Sequence, residues 1–191
     1  MSTDTTPYFI ASNLALDFIN TRFGVGDEQQ ECLIDDDSVV DWLQQAGVLE
    51  ADFAQAPAPG LVRLARELRD NLRDLLDAAR RGEAAEASVV NQILERGNPL
   101  ESLVWQAQQK AFVRQQHRRD DHAESLLQPV AQAAVQLLTE ENLQLVKECE
   151  APDCVLLFHD QTKSHRRRWC SMATCGNRMK AASHRARMNA G

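Results

Sequence analysis

The sequence predicts a mainly α fold with a small β component (α+β): a mostly helical body over residues 1–146 and a small hairpin-and-helix module over 147–191. Three observations predict it. Apolar residues recur at three- and four-residue steps through much of the first 140 residues, the period of a helix buried on one face. Four of the five cysteines crowd into the C-terminal quarter. The charge divides at the same place. Lys147 to Gly191 carries nine Lys/Arg against four Asp/Glu, whereas the rest of the chain carries 12 against 24, and from Lys163 onward there are eight basic side chains and no acidic one.

The elements follow in order. Ser12 or Asn13 caps a short helix with Leu14, Phe18 and Ile19 on its buried side. Asp17 and Asn20, three apart, share one face of it. Polar groups in such an apolar stretch either bond to nearby backbone or bind something. Gly24 to Asp37 reads as a loop. Asp37 or Ser38 caps the next helix, through Val39, Val40, Trp42 and Leu43, which Gly47 ends. Ala54 to Gly60 holds two prolines and reads as a linker. The strongest helix then places Leu61, Leu64, Leu68, Leu72, Leu75 and Ala79 on one stripe. Arg63/Glu67, Arg66/Asp70 and Arg73/Asp77 are four-residue pairs on its wet side, and Gly82 stops it. A further helix over about 86–96 carries Val89, Val90, Ile93 and Leu94 and stops at Gly97. Ser102 to His117 alternates in part and reads as two short strands. Ser125 to Leu138 is an apolar helix with Pro129 near its start or kinking it.

Composition narrows the function. With 43% hydrophobic and 26% charged residues the 191-residue chain suits a globular protein rather than a disordered one. No apolar run approaches the ~18–20 residues of a membrane helix, so no membrane partner is expected. Residues 1–7 show neither a basic nor an apolar leader region, so the expected location is cytoplasmic. Aromatics at 5% argue against a base-stacking sheet. No phosphate loop, nucleophile elbow or HExxH motif appears, so no enzyme is expected. A site around Asp17 and Asn20 is the weakest alternative.

The cysteines are the strongest motif. Cys149-x4-Cys154-x15-Cys170-x4-Cys175 is two close pairs with a spacer, the pattern of a four-thiolate Zn2+ site. Disulfides or buried free thiols are the alternatives, and the missing leader disfavours disulfides. Cys32, more than a hundred residues away, reads as a small apolar residue. Pro152 and Asp153 favour a turn inside the first pair. Val155 to Phe158 reads as one strand and Arg167 to Trp169 as its returning partner. A helix then starts near Thr174 or Cys175 and runs to about Met188. Knuckle, hairpin and a helix whose first turn supplies the last ligand make a treble-clef-like arrangement. On that helix Met179, Ala182 and Ala186 form one stripe, Lys180, His184 and Arg187 a second, and Arg178 and Arg185 a third. The first stripe is expected to pack on the hairpin and the basic ones to face outward.

The run Cys170-Ser-Met-Ala-Thr-Cys175-Gly176-Asn177-Arg178, with Arg167-Arg168-Trp169 before it and Lys180 and His184-Arg185-Ala-Arg187 after it, resembles the CGNR zinc finger. Cys149-Glu-Ala-Pro-Asp-Cys154 and Leu157-Phe158…Asp160-x-Thr162-Lys163 match the first half of that family. Leu14-Ala-Leu-Asp17-Phe18-Ile-Asn20-Thr21 resembles the opening of the ABATE domain that usually precedes the finger. His159 departs from the pattern beside Asp160. The resemblance implies a bacterial, stress-response transcription regulator with zinc on Cys149, Cys154, Cys170 and Cys175.

A four-thiolate shell leaves zinc no open position, so the expected site is structural. Asn177 is the candidate to support a sulfur or the knuckle backbone. Trp169 reads as packing rather than a stacking ring. The leading functional reading is a zinc-dependent DNA-binding regulator in which Arg166, Arg167, Arg168, Arg178, Lys180, Arg185 and Arg187 meet phosphates. The alternative is a zinc-finger protein–protein adaptor that does not touch DNA, docking on an acidic partner or on its own acidic body. The body is left to sense a small-molecule effector or to form a homo-oligomer.

Overall fold

α3, Leu61–Arg81, is the beam on which the body is built, and it appears in a computed structural model that describes residues 8–24, 29–53, 55–56, 59–152 and 154–189. Its Leu61, Leu64, Leu68 and Leu72 are buried as the period requires. In the last turns the buried positions are Leu76 and Ala78, while Leu75 is only half-buried. Gly82 closes the helix at φ +70, a left-handed conformation that favours glycine. Of the expected wet-face pairs Arg63–Glu67 forms at 2.8 Å. Arg66 instead reaches across to the carbonyls of Leu33 and Ile34.

α1 spans Leu14–Ile19 and is capped by Asn13, whose side chain accepts from the Ala15 and Leu16 amides. Two short strands follow, β1 (Arg22–Phe23) and β2 (Gln30–Glu31), paired antiparallel. β2 lies in the stretch from Gly24 to Asp37 expected to be loop and β1 just before it, and residues 25–28 between them lie outside the described set. Strands of two residues carry too little periodicity to read. Here they are pinned from outside: Arg69, 3% exposed, grips Glu31 through two bonds of 2.7 and 2.6 Å and donates to Thr21 at 3.0 Å. Burial opposes the Glu31 charge, but Arg69 and the Leu33 amide more than offset it and hold the carboxyl below its usual range.

α2 covers Asp36–Gln45. Its cap is Asp35, two or three residues earlier than the expected Asp37 or Ser38; Ser38 is the third helical residue and completes a reciprocal capping box. The Pro-rich linker ends at Gly60, where the Asp36 carboxylate accepts from the Gly60 and Val62 amides and so fixes the start of α3; residues 54, 57 and 58 lie outside the described set.

α4 (Ser88–Arg96) buries Val90 and Ile93 and stops at Gly97. A Cβ on Gly97 would lie 2.3 Å from the Glu124 carbonyl oxygen, so α4 reaches its neighbour only because this residue is glycine. That neighbour, α5 (Ala123–Glu140), carries Pro129 well inside rather than near its start, and buries Leu126, Leu127, Val130, Ala131, Ala134 and Leu137. Between them β3 (Leu100–Gln106) and β4 (Ala111–His117) form the expected hairpin, in a register that sets Trp105 opposite Phe112.

After α5 a single 3-10 turn, Leu143–Leu145, leads into β5 (Val146–Glu148), which pairs with β6 (Leu157–His159). This corrects the expected hairpin: the partner of the 157–159 strand is 146–148, not Arg167–Trp169. The latter segment runs as coil, held by Arg167 N–H donating to the Asp160 carboxylate and by Glu150 N–H donating to Arg168 O rather than by a ladder. α6 (Asn177–Asn189) ends the described chain.

One buried cluster runs through both parts. Phe18, Trp42, Leu68, Leu127, Leu157, Phe158, Cys170 and Cys175 all belong to it. The outer edge of β6 is completed by the body. Leu157 N–H donates to Asn20 Oδ1 at 2.9 Å, Asn20 Nδ2 donates to Leu157 O at 2.8 Å, and His159 N–H donates to Ala11 O at 2.8 Å. Asn20 therefore bonds to backbone, one of its two expected roles, but not to backbone near it in sequence. It satisfies backbone 137 residues away, as a short third strand would. No helix among the described residues is long and apolar enough to cross a membrane.

Candidate metal centre

The first pair of cysteines sits on a loop between β5 and β6. Cys149 N–H continues the ladder to Leu156 O at 3.0 Å, and Cys154 N–H closes the loop on Ala151 O at 3.1 Å. Asp153, one of the two expected turn residues, lies outside the described set. Glu150 N–H bonds to Arg168 O at 3.0 Å and ties this loop to the second half of the module.

The second pair is held by a wide turn, Met172–Gly176, that precedes α6. Ser171 Oγ accepts from Thr174 N–H at 2.9 Å, and the Ser171 carbonyl accepts from both Cys175 and Gly176 amides. Cys175 therefore lies in this turn. The helix begins two residues later than the latest expected start, and the last sulfur stands before it rather than in its first turn.

The four sulfurs lie within 4.8 Å of one another, and Cys149, Cys170 and Cys175 are buried. Cys154 and Cys170 Sγ are 3.8 Å apart. A disulfide needs about 2.05 Å. A tetrahedral zinc with bonds of ~2.3 Å has sulfur–sulfur edges of ~3.8 Å. All four are free thiols at zinc spacing, and the donor set fits Zn2+. The chain prepares the thiolate form unevenly. The Cys170 thiol beside Cys154 pulls the latter's pKa down to about 5, while the same contact and burial push Cys170 up. Bound zinc would neutralise this crowded charge and cross-link the two loops. Cys32 stands apart, buried, with burial raising its thiol to about 11.

Around the sulfurs the arginines divide by role. Arg178 Nη2 lies 3.4 Å from Cys175 Sγ and supplies the supporting donor expected from Asn177, whose side chain is exposed. Arg167 is half-buried and is a clamp. It donates to the carbonyls of Trp169 (3.0 Å), Ile10 (2.9 Å) and Cys170, and its guanidinium lies 4.2 Å from the Phe158 ring centre. Arg168 pairs with Glu150 at 2.6 Å and covers the half-buried Trp169 ring. Arg166, Lys180, Arg185 and Arg187 are exposed. Met179 packs on the core and Ala182 is half-buried, but Ala186 is exposed. The apolar stripe of α6 thus anchors only the first turns, and the rest of the helix stands clear.

Asp160, fully buried, is a hub of the module. Its carboxylate accepts from Lys147 Nζ (2.7 Å), Thr162 Oγ1 (2.6 Å) and the amides of Thr162 and Arg167. Burial opposes the charge, but these donors outweigh it and hold the carboxyl far below its usual range. The Asp-x-Thr spacing is the signal for such a turn. Asp17 is bonded locally: Oδ1 accepts from the Ile10 and Ala11 amides at 2.9 Å. Burial raises its pKa against those bonds and Arg167. An open hollow of about 570 Å³ lies beside it, lined in part by Phe9, Asn13, Arg167 and Met172.

Comparison with curated proteins finds no match. Two family profiles do match. One, the CGNR zinc finger, covers residues 146–188 and contains all four sulfurs. The other, ABATE, covers residues 12–141 and is described as "putative stress-induced transcription regulator". The chain belongs to the ABATE family and carries a CGNR zinc finger at its C-terminal end.

Proposed function

We propose that the chain is a zinc-dependent DNA-binding transcription regulator, with residues 147–191 as the nucleic-acid module and residues 1–146 as an effector-sensing or dimerising body. The observation that carries the reading is the pairing of a closed four-sulfur centre with an acid-free basic helix standing clear of the body. A filled sulfur shell leaves no position for a reacting water, so the metal's role is to hold shape. Cys175 and α6 share one continuous piece of backbone, so fixing the sulfur fixes the direction of the helix.

Arg166, Lys180, Arg185 and Arg187 are the phosphate-contacting residues of this proposal, with Arg178 shared between the Cys175 sulfur and the polyanion. Arg168 joins them only by giving up Glu150, and Arg167 is spent on the carbonyls of Ile10, Trp169 and Cys170. Four to five contacts predict that log K falls with a slope of about −4 against log salt. The test measures zinc content and duplex DNA binding together on wild type and Cys175→Ser. Joint loss supports the reading. Loss of zinc with binding unchanged refutes the coupling, and a salt-independent affinity refutes phosphate contact. A full-length chain with zinc that ignores DNA but holds an acidic protein supports the adaptor reading, which the Arg168–Glu150 pair favours as an instance of the finger meeting carboxylate.

A further inference from the structure

The β3–β4 hairpin has one face that is more open than the other. The register sets Glu101, Leu103 and Trp105 of β3 beside Gln116, Arg114 and Phe112 of β4 on the same side. Leu103, Trp105 and Phe112 are 71%, 53% and 64% exposed. The two rings meet edge to face at 5.1 Å. On the opposite side Ala111 and Val113 are half-buried and Leu100 and Val104 are 48% and 39% exposed, so the Leu103 side is the more open of the two. All seven residues of β3 are exposed. A two-stranded hairpin without cover is at best marginally stable in water, and three large apolar side chains gathered on its outer face are costly to leave wet.

We propose that this face is a self-association surface, and that its occupant is the same face of a second copy of this chain, related by a two-fold axis. Two observations choose a second copy. The first is charge. The apolar centre is flanked by one acid and one base, Glu101 and Arg114, 3.5 Å apart within the hairpin. An acidic or basic partner gains little from so balanced a rim, whereas a two-fold axis offers each copy's Arg114 to the other's Glu101. The second is area. Taking ~150–250 Å² for each whole large side chain, Leu103, Trp105 and Phe112 expose roughly 400 Å² together. Glu101, Arg114 and Gln116 bring the face to roughly 700 Å², close to the ~800 Å² per partner of a standard interface. The proposal does not rest on DNA binding, and its test does not use DNA.

The experiment is sedimentation equilibrium of the zinc-loaded full chain across the micromolar range. Wild type is expected to approach twice the 21.4 kDa chain mass as concentration rises. Trp105→Glu with Phe112→Glu is expected to raise the dissociation constant at least a hundredfold. Arg114→Glu alone and Glu101→Arg alone are each expected to raise it about tenfold, and the double reversal to restore it. These side chains are exposed, and the helical circular dichroism of each variant checks that the body is intact. A wild type that stays monomeric overturns the proposal and leaves the face to a different protein. A dimer that survives both the glutamate pair and the charge reversals overturns it too, because the contact then lies elsewhere. The charge reversals keep the test decisive if the glutamate pair disturbs the hairpin.

Discussion

Replacing Asn20 with alanine tests whether the finger is a fixture of the body. Asn20 is 1% exposed and spends both ends of its amide on Leu157, at 2.8 and 2.9 Å. Alanine leaves the Leu157 N–H and C=O buried on the outer edge of β6 with nothing to bond. Each such group costs about 1–3 kcal/mol, so the loss is roughly 2–5 kcal/mol. At about 2–4 °C per kcal/mol for a chain of this length, the melting temperature falls by roughly 5–15 °C. The assay is heat and urea unfolding followed by circular dichroism, with a zinc indicator in the same cuvette. One joint transition is expected to move, because the buried cluster is continuous through Phe18 and Leu157. Asn20→Asp keeps the acceptor but turns a carboxylate toward Leu157 O, so it should be no milder than alanine. A cost below about 0.5 kcal/mol, a harmless Asn20→Asp, or two separate transitions with only one displaced would refute the reasoning.

Other changes probe the remaining supports. Gly97→Ala places a methyl against the Glu124 carbonyl oxygen and is expected to cost about 2 kcal/mol or more in urea unfolding; a neutral result would mean α4 and α5 can part freely. Arg167→Lys keeps the charge but loses the fork that reaches Ile10, Trp169 and Cys170, so a melt should show about 2–3 kcal/mol lost with no rescue relative to Arg167→Ala. Asp160→Asn tests a pH linkage. The folded carboxyl lies below its unfolded value of about 4, so its stabilisation is full above that pH and is lost as pH falls through the depressed folded value. The stability difference between wild type and Asp160→Asn is therefore expected to be constant near neutrality and to shrink below about pH 4 in acid titration. Stripping zinc with a chelator is expected to lower the melting temperature and expose four reactive thiols in a thiol titration; an unchanged melt would show that the sulfurs do not hold the module.

Much of this molecule is written locally, and that part was legible. The 3.6-residue rhythm of Leu61 to Leu72, the glycine stops at Gly82 and Gly97 and the two cysteine pairs each depend on residues close in sequence. Some of the misreadings trace to partners far away in sequence. β1 and β2 exist because Arg69 holds Glu31, which no two-residue strand announces. The partner of β6 lies upstream, at Val146–Glu148, rather than in the downstream Arg167–Trp169, because the ladder runs straight out of the strand that leads into the first cysteine. At the centre itself the ligands followed from spacing. The split among the arginines did not, since a guanidinium that clamps carbonyls and one that faces solvent are identical letters.

The edge of β6 that Asn20 and Ala11 complete also governs how this chain can be cut. The two family profiles leave an apparent seam between residues 141 and 146. Severing the polypeptide there would strip the cover from Leu156, Leu157 and Phe158, each no more than 3% exposed in the whole chain, and would open a raw strand margin ready to pair with any neighbour. An excised finger should be sticky and short-lived even with its metal, so swapping fingers between relatives calls for carrying Ile10 to Asn20 along with the cysteines.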